Sequence, residues 1–284
     1  VSDTNDDSFA RTEYTYDERG YVTKECVLNK DGALVSASVY TYEGEQVRIQ
    51  TKLNSNEQPT GEVVRCEYDE HGNVMHLGER DCSLQRRYQK VVEFAPAFSV
   101  PKAVREAICA DAVKIAKHVN YVNAGTVEFL VDGKTGQHYF IEMNPRIQVE
   151  HTVTELVTDI DIVRSQILVA EGYPLNSAEI GIPSQESIQC HGYAIQTRVT
   201  SEDPSNNFMP DTGKVTLYTS GSGNGIRLDG GNIYTGAEIL PYYDSLLVKI
   251  SSFDRTFMGA VTKSRRALRE IKIQGIKTNI SFLI

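Results

Sequence analysis

The segment TVEFLVDGKTGQHYFIEMNPRIQVEH, residues 126–151, constrains this chain more than any other. Two runs of β-formers flank the polar turn DGKTGQ, which is the pattern of a β-hairpin. A turn about Thr135 sets Glu128 opposite Glu142 and puts Asn144 on the same face, two residues further along. Directly opposed side chains lie roughly 5 Å apart. Two carboxylates at that spacing repel unless a cation lies between them. Mg²⁺ is the natural occupant, a hard ion that takes one or two carboxylates and completes its shell with phosphates and water. The competing reading is a hairpin whose acids merely face water. Against it, Val127, Phe129, Tyr139 and Ile141 are expected to bury one face while polar groups crowd the other.

Arg146, Gln148 and Glu150 follow, spaced by two. An extended chain would present all three on one side. An Arg fork suits an oxyanion, and a neighbouring Glu can take that anion's proton. Bicarbonate fits the pair. Alternating polar residues are also what any half-exposed strand shows, so spacing alone leaves the choice open.

Around this segment, helices and strands alternate. Ser99 and Pro101 open a helix with Val104, Ala107, Ile108, Ile115 and Val119 on one face. A second helix is expected from about Thr154 to Ala170 and a last one near Phe257 to Ile271, with strands at GYAIQTRV, KVTLYT, IRLDG and SLLVKI. The expected fold class is α+β, a mixed α/β core.

The first 60 residues differ. Tyr14, Tyr16, Val22, Val35, Val39, Tyr40, Tyr42, Val47 and Ile49 are β-formers broken by Arg19-Gly20, Asp31-Gly32 and Glu43-Gly44. YTYDERGYV, YTYEGEQV and CEYDEHGNV are alike, and their tyrosines Tyr16, Tyr42 and Tyr68 recur every 26 residues. This resembles the YD or Rhs-type repeats of bacterial surface and toxin-delivery proteins, each repeat a hairpin that stacks on its neighbours. A chance run of hairpins reads equally well. The polar stretch SNEQPTG, residues 55–61, is a candidate linker, and the segment around Glu70–Asn73 serves as one hairpin under either reading.

A net charge of −9 without a block of Lys and Arg argues against nucleic-acid and anionic-membrane partners. The apolar runs are too short to span a membrane. Five widely spaced cysteines without a CxxC pair suggest reduced thiols and a cytoplasmic setting. Val1 in the initiating position, and an end directly after an apolar stretch, suggest a fragment.

Five stretches are together similar to the biotin carboxylase family, in the family's order: ERDCSLQRRYQKVVE at 79–93, GTVEFLV at 125–131, YFIEMNPRIQVEHTVTE at 139–155, LPYYDSLLVKI at 240–250 and GIKTNI at 275–280. The resemblance spans about residues 61–284 and leans toward the pyruvate carboxylase form. Beyond the β-hairpin segment read at 1–60, it implies the C-terminal part of an ATP-grasp domain at 61–160 and a truncated biotin carboxylase C-terminal domain at 161–284. It also implies that Glu128 and Glu142 bind Mg²⁺ (or Mn²⁺) beneath the ATP phosphates, with Asn144 nearby. Arg146, Gln148 and the backbone of Val149 would hold bicarbonate, Glu150 would be the general base, and Gln85 and Lys90 would contact phosphate or anion. Arg227 would stabilise the enolate-like ureido group of biotin, which a separate carrier domain or protein supplies. The family often pairs through this domain, which implies a homo-oligomer.

The implied reaction attacks the γ-phosphate of ATP with bicarbonate and passes CO₂ to biotin N1. Tyr88 stands where many members have His; its ring can still contact the nucleotide, but it supplies no imidazolium. The family's N-terminal subdomain and glycine-rich lid have no counterpart in the sequence, and no Met-Lys-Met biotinylation site occurs. The chain alone is therefore expected to turn over ATP poorly. The alternatives are a YD-repeat surface protein or an unnatural junction of two unrelated pieces.

Overall fold

A computed structural model of the chain describes residues 11–29, 31, 33–43, 46–53, 59–65, 74–231 and 233–284. It divides into two compact units, residues 1–73 and 74–284.

The first unit is an antiparallel meander in chain order: β1 (Arg11–Tyr16), β2 (Val22–Leu28), β3 (Leu34–Glu43), β4 (Gln46–Leu53) and β5 (Pro59–Arg65). The β1–β2 turn is closed by the Asp17 carboxylate, which accepts the backbone N–H of Arg19 and of Tyr21, with Gly20 at φ +86°. Tyr42 donates its hydroxyl to the Val22 carbonyl at 2.6 Å and stacks on Tyr21. Two of the three tyrosine segments thus open hairpins. The third, around Tyr68, lies outside the described residues, as do Gly32, Gly44 and residues 55–58 of the candidate linker.

In the second unit, β6 (Asp81–Arg86) and β7 (Gln89–Ala95) form a hairpin, followed by α1 (Lys102–His118). Next come β8 (Thr126–Val131), β9 (His138–Asn144), α2 (His151–Thr158), α3 (Ile162–Ala170) and β10 (Tyr193–Thr200). Short two-stranded pairings occupy much of the remainder: β11 (Glu202–Asp203) with β12 (Met209–Pro210), β13 (Gly213–Lys214) with β16 (Glu238–Ile239), and β14 (Leu217–Thr219) with β18 (Lys272–Gln274). The longer strands β15 (Ile226–Gly230) and β17 (Leu246–Asp254) join the main sheet, whose order is β15-β17-β10-β7-β6. Helices α4 (Phe257–Glu270) and α5 (Ile280–Leu283) complete the unit.

The mixed α/β class read from the sequence is the class observed. Val199, Val215, Val248, Ile250, Ala267 and Leu268 form the main core between the sheet and α4. Thr256 caps α4 by accepting the Gly259 N–H. A strand buried on both faces reads as a continuous run rather than an alternation, and β17 is one: Leu247, Val248, Ile250, Ser251 and Ser252 are all buried.

Three expectations need correction. The single helix from Thr154 to Ala170 is two, because Asp159 adopts a left-handed conformation at φ +58° and Asp161 starts α3 by accepting the Arg164 N–H. On α1 the buried residues are Cys109 and Ala116, while Ala107 and Val119 are exposed. Val104, Ile108 and Ile115 remain half-buried, so the inward face is centred on the small side chains between them. On the hairpin β8–β9, Tyr139 and Ile141 are 56% and 48% exposed, and a bulge sets Phe140 opposite Phe129 and Tyr139 opposite Leu130, so the four apolar residues do not share one buried face.

Candidate functional site

The hairpin pairs as its sequence implies near the acids. Thr126 faces Asn144, Val127 faces Met143, and Glu128 faces Glu142; a bulge after Glu128 shifts the register by one residue toward the turn. Asn144 Nδ2 donates to Glu128 Oε1 at 3.2 Å and to Glu142 Oε1 at 2.9 Å. Glu128 Oε1 also accepts from Lys90 Nζ at 2.8 Å and from Gln148 Nε2 at 2.6 Å. Donors thus converge where the two carboxylates would otherwise repel.

Residues 145–150 are not extended, contrary to the expectation for Arg146, Gln148 and Glu150. The chain bends so that His151 N–H donates to the Gln148 carbonyl. This separates the three side chains. Gln148 and Glu150 turn inward, 6% and 2% exposed, whereas Arg146 stays outside and donates to the Ile147 carbonyl and Asn144 Oδ1. Glu150 stands at the N-cap of α2. Its Oε1 accepts from Lys90 Nζ at 2.7 Å and its Oε2 from Arg198 Nη2 at 3.0 Å. The Val149 carbonyl accepts from Lys249 Nζ at 3.0 Å.

The electrostatics follow from these partners. Burial works to raise the Glu150 pKa, but the Lys90 hydrogen bond and charge, helped by Arg80, hold it below the usual carboxylate range. Burial disfavours the Lys90 ammonium, yet its bonds to Glu128 and Glu150 raise its pKa above the ordinary lysine value. Cys82, whose sulfur is 3.9 Å from Glu150 Oε1, is pushed up to about 12 by burial and by that carboxylate. Its thiol stays protonated and inert.

Five residues in or beside the cluster went unassigned in the sequence: Arg80, Glu93, Arg198, Lys249 and Glu155. Arg80 donates to Gln148 Oε1, Thr126 Oγ1 and Thr154 Oγ1 and so ties the hairpin to α2. Arg80 and Glu93 lie inside the stretch 79–93 and Glu155 ends the stretch 139–155, so proximity to those motifs was the available signal. Nothing local marks Arg198, in the mixed strand YAIQTRVT, as a neighbour of Glu150.

Other expected residues sit apart. Gln85 is exposed and donates to the Cys82 carbonyl. Tyr88 is 97% exposed at the β6–β7 tip, where it and Arg87 both adopt positive φ. Arg227 is held by Glu155 at 2.6 Å and by Asp229, and it borders an open cavity of about 770 Å³ whose walls include Leu156, Ile160, Val163 and Leu168. Glu155 lies five residues beyond Glu150, so α2 is the element that links the two places.

Among the described residues, no three His, Cys, Asp or Glu side chains gather as a metal site. The donor set at Glu128, Glu142 and Asn144 is two carboxylates and an amide, all able to offer hard oxygens. That chemistry fits Mg²⁺ completed by phosphate and water, not a cation caged by protein alone.

The fold and this arrangement match two families. Residues 29–178 match "Carbamoyl-phosphate synthase L chain, ATP binding domain", and residues 196–284 match "Biotin carboxylase C-terminal domain". The chain belongs to the family of the first of these, the carbamoyl-phosphate synthase L chain ATP-binding domain, which takes in more than half of it. Its similarity to known proteins is to the pyruvate carboxylase type. The chain is 58% identical over 227 residues to pyruvate carboxylase of Bacillus subtilis, which covers 80% of this chain and 20% of that protein. Pyruvate carboxylase of Rhizobium etli, solved with acetyl coenzyme-A, superposes with a TM-score of 0.74 at 55% identity, covering 76% of this chain and 21% of that one. The biotin carboxylase domain of 2-oxoglutarate carboxylase from Hydrogenobacter thermophilus, solved as a dimer with MgADP, ADP and bicarbonate, gives 0.71 at 46% identity, covering 76% and 46%. The chain thus spans about a fifth of the curated relatives it matches.

Proposed function

We propose that this chain forms part of an ATP-dependent biotin carboxylase of the pyruvate carboxylase type, and that residues 126–150 bind MgATP and bicarbonate. The observation that carries the reading is Glu150, a nearly fully buried carboxylate between Lys90 and Arg198, set beside the facing pair Glu128 and Glu142. Glu150 is ionised at neutral pH and takes the proton of bicarbonate. Lys90, joined to both acids, offers its charge to the anion. The exposed guanidinium of Arg146 turns inward over bicarbonate by exchanging its bonds to the Ile147 carbonyl and Asn144 Oδ1 for the anion, with Gln148 and the Val149 backbone completing the pocket.

Glu128, Glu142 and Asn144 would hold Mg²⁺ (or Mn²⁺), which neutralises phosphate charge when bound. The deprotonated bicarbonate oxygen attacks the γ-phosphorus and ADP leaves; the C–O bond of carboxyphosphate then breaks to give CO₂ and inorganic phosphate, and the phosphate takes the N1 proton of biotin as N1 bonds to CO₂. Arg227 steadies the ureido oxygen of biotin brought by a separate carrier domain or protein. Gln85 and Tyr88 reach the nucleotide from the β6–β7 tip. The division near residue 160 is then one of role rather than packing, since β7 and β10 share a sheet. Pairing into a homo-oligomer and a cytoplasmic setting belong to the same reading.

Carboxyphosphate is labile and must be kept from water, so the isolated chain binds nucleotide but turns it over poorly. For residues 1–60 we propose a repeat-type hairpin stack, supported by the two described tyrosine segments that each open a hairpin.

The test is thermal denaturation of the chain with and without MgADP, paired with bicarbonate-dependent ADP release by the full-length protein that contains it. A rise of several degrees with MgADP, lost when Glu128 and Glu142 become Gln, supports the reading. No shift, and no ADP release dependent on bicarbonate, overturns it.

A further inference from the structure

Four of the polar side chains buried between the main sheet and α2 stand where apolar ones would serve folding as well. Glu93, Gln196, Thr152 and Ser251 are each fully buried, and they form one connected network. Thr152 Oγ1 donates to Gln196 Oε1 at 2.6 Å and lies 2.8 Å from Ser251 Oγ. Gln196 Nε2 donates to Glu93 Oε2 at 3.0 Å, and Glu93 Oε1 accepts from Arg198 Nε. From Arg198 the network continues out of the core to Glu150 Oε2.

Burying a carboxylate inside a sheet is costly, and its ion pair recovers little more than apolar packing would give. Burial raises the Glu93 pKa, against the pull of Arg198, which shows that the cost is felt. Stability alone therefore gives no reason for a charge here. The network's reach does. It grips α2 twice, through Thr152 just after the N-cap and through the carboxylate of the N-cap residue itself. With Oε2 fixed from β10 and Oε1 fixed by Lys90 from β7, the Glu150 carboxyl plane cannot turn.

Resting on the reading of Glu150 as the base, we infer that Arg198, held from behind by Glu93, is a positioning residue that fixes the Glu150 carboxylate toward bicarbonate. Arg198 does not touch substrate. Its fork is matched to two carboxylates at once, one in the core and one in the site, which the point charge of a lysine cannot reproduce. A small misplacement of a reacting group can cost about 100-fold in rate.

The experiment measures bicarbonate-dependent ADP release by the full-length protein that contains this chain. Arg198→Ala is expected to lower kcat about 100-fold, with KM for MgATP within about twofold of the wild type. Added guanidinium is expected to restore at least about tenfold in Arg198→Ala and nothing in Glu150→Ala. If Arg198→Ala does not fold, Arg198→Lys decides, with an expected loss of about tenfold in kcat at unchanged KM for MgATP. Arg198→Ala within about threefold of wild type, a loss that guanidinium does not relieve, or a fully active Arg198→Lys overturns the positioning role. A wild-type protein without bicarbonate-dependent ADP release overturns the reading of Glu150 itself, and the positioning role with it.

Discussion

Glu128 and Glu142 are direct partners across β8 and β9, and one amide, Asn144 Nδ2, donates to an oxygen of each. The same residues that leave two like charges face to face also provide a third group able to turn an oxygen toward whatever separates them. Replacing either acid by Gln leaves an oxygen in place but removes half of the pair's charge. Mn²⁺ binding, followed by electron paramagnetic resonance, is expected to weaken at least about tenfold in Glu128→Gln and in Glu142→Gln. Equal Mn²⁺ affinity in both variants and the wild type would remove the metal from this hairpin.

Lys90 is the cation shared by Glu128 and Glu150, and the Glu150 side chain is only 3% exposed. Lys90→Met leaves Glu150 paired with Arg198 alone and is expected to destabilise the second unit by about 3 kcal/mol. The pH response has a definite sign. A carboxylate whose pKa is depressed by folding contributes stability that is present above its unfolded value of 4.5 and is lost as pH falls through the folded value. Without Lys90, that depression shrinks. Urea midpoints between about pH 3 and 7 are therefore expected to show a weaker acid dependence in Lys90→Met than in the wild type.

Two thiols, half-buried Cys82 and buried Cys109, act at the other end of the scale. Burial pushes Cys82 up to about 12 and Cys109 up to about 11, each aided by a nearby glutamate, Glu150 and Glu79 respectively. Groups raised by folding contribute stability that is full below the unfolded value of 9.0 and is lost as pH climbs toward 11 and 12. Alkaline denaturation is expected to be shallower in the double variant Cys82→Ala, Cys109→Ala. In the native wild type, a thiol reagent at about pH 8 is expected to modify neither residue at the rate of a free thiol.

Gly275, at φ +96°, follows β18, and a Cβ there would run into the Lys214 carbonyl oxygen while lying 3.0 Å from the Thr216 backbone nitrogen. Both neighbours are backbone and cannot swing away. Gly275→Ala combines that clash with a left-handed conformation and is expected to cost about 3 kcal/mol, read as a lower melting temperature. Gly236, also at positive φ but with nothing within 4 Å of its would-be Cβ, is expected to lose less.

The class of fold was legible because periodicity is local. The hairpin register around Glu128 and Glu142 followed from turn position and the two-residue repeat of a strand. What periodicity could not reveal were the single-residue events: the bulge after Glu128, the left-handed Asp159 that cuts one expected helix into α2 and α3, and the bend that sends Arg146 out while Gln148 and Glu150 go in. Each depends on which neighbour is near enough to satisfy a backbone group.

By itself the sequence determined the mixed α/β class, the facing acids of the hairpin and the resemblance to biotin carboxylases. These rest on short-range spacing and on motifs whose residues are contiguous. Only the tertiary structure decided that Glu150 is gripped by Lys90 from β7 and by Arg198 from β10, 60 and 48 residues away. A hydrogen bond depends on distance in space, and the antiparallel pairing of β7 with β10 is what brings those side chains within reach of one carboxylate.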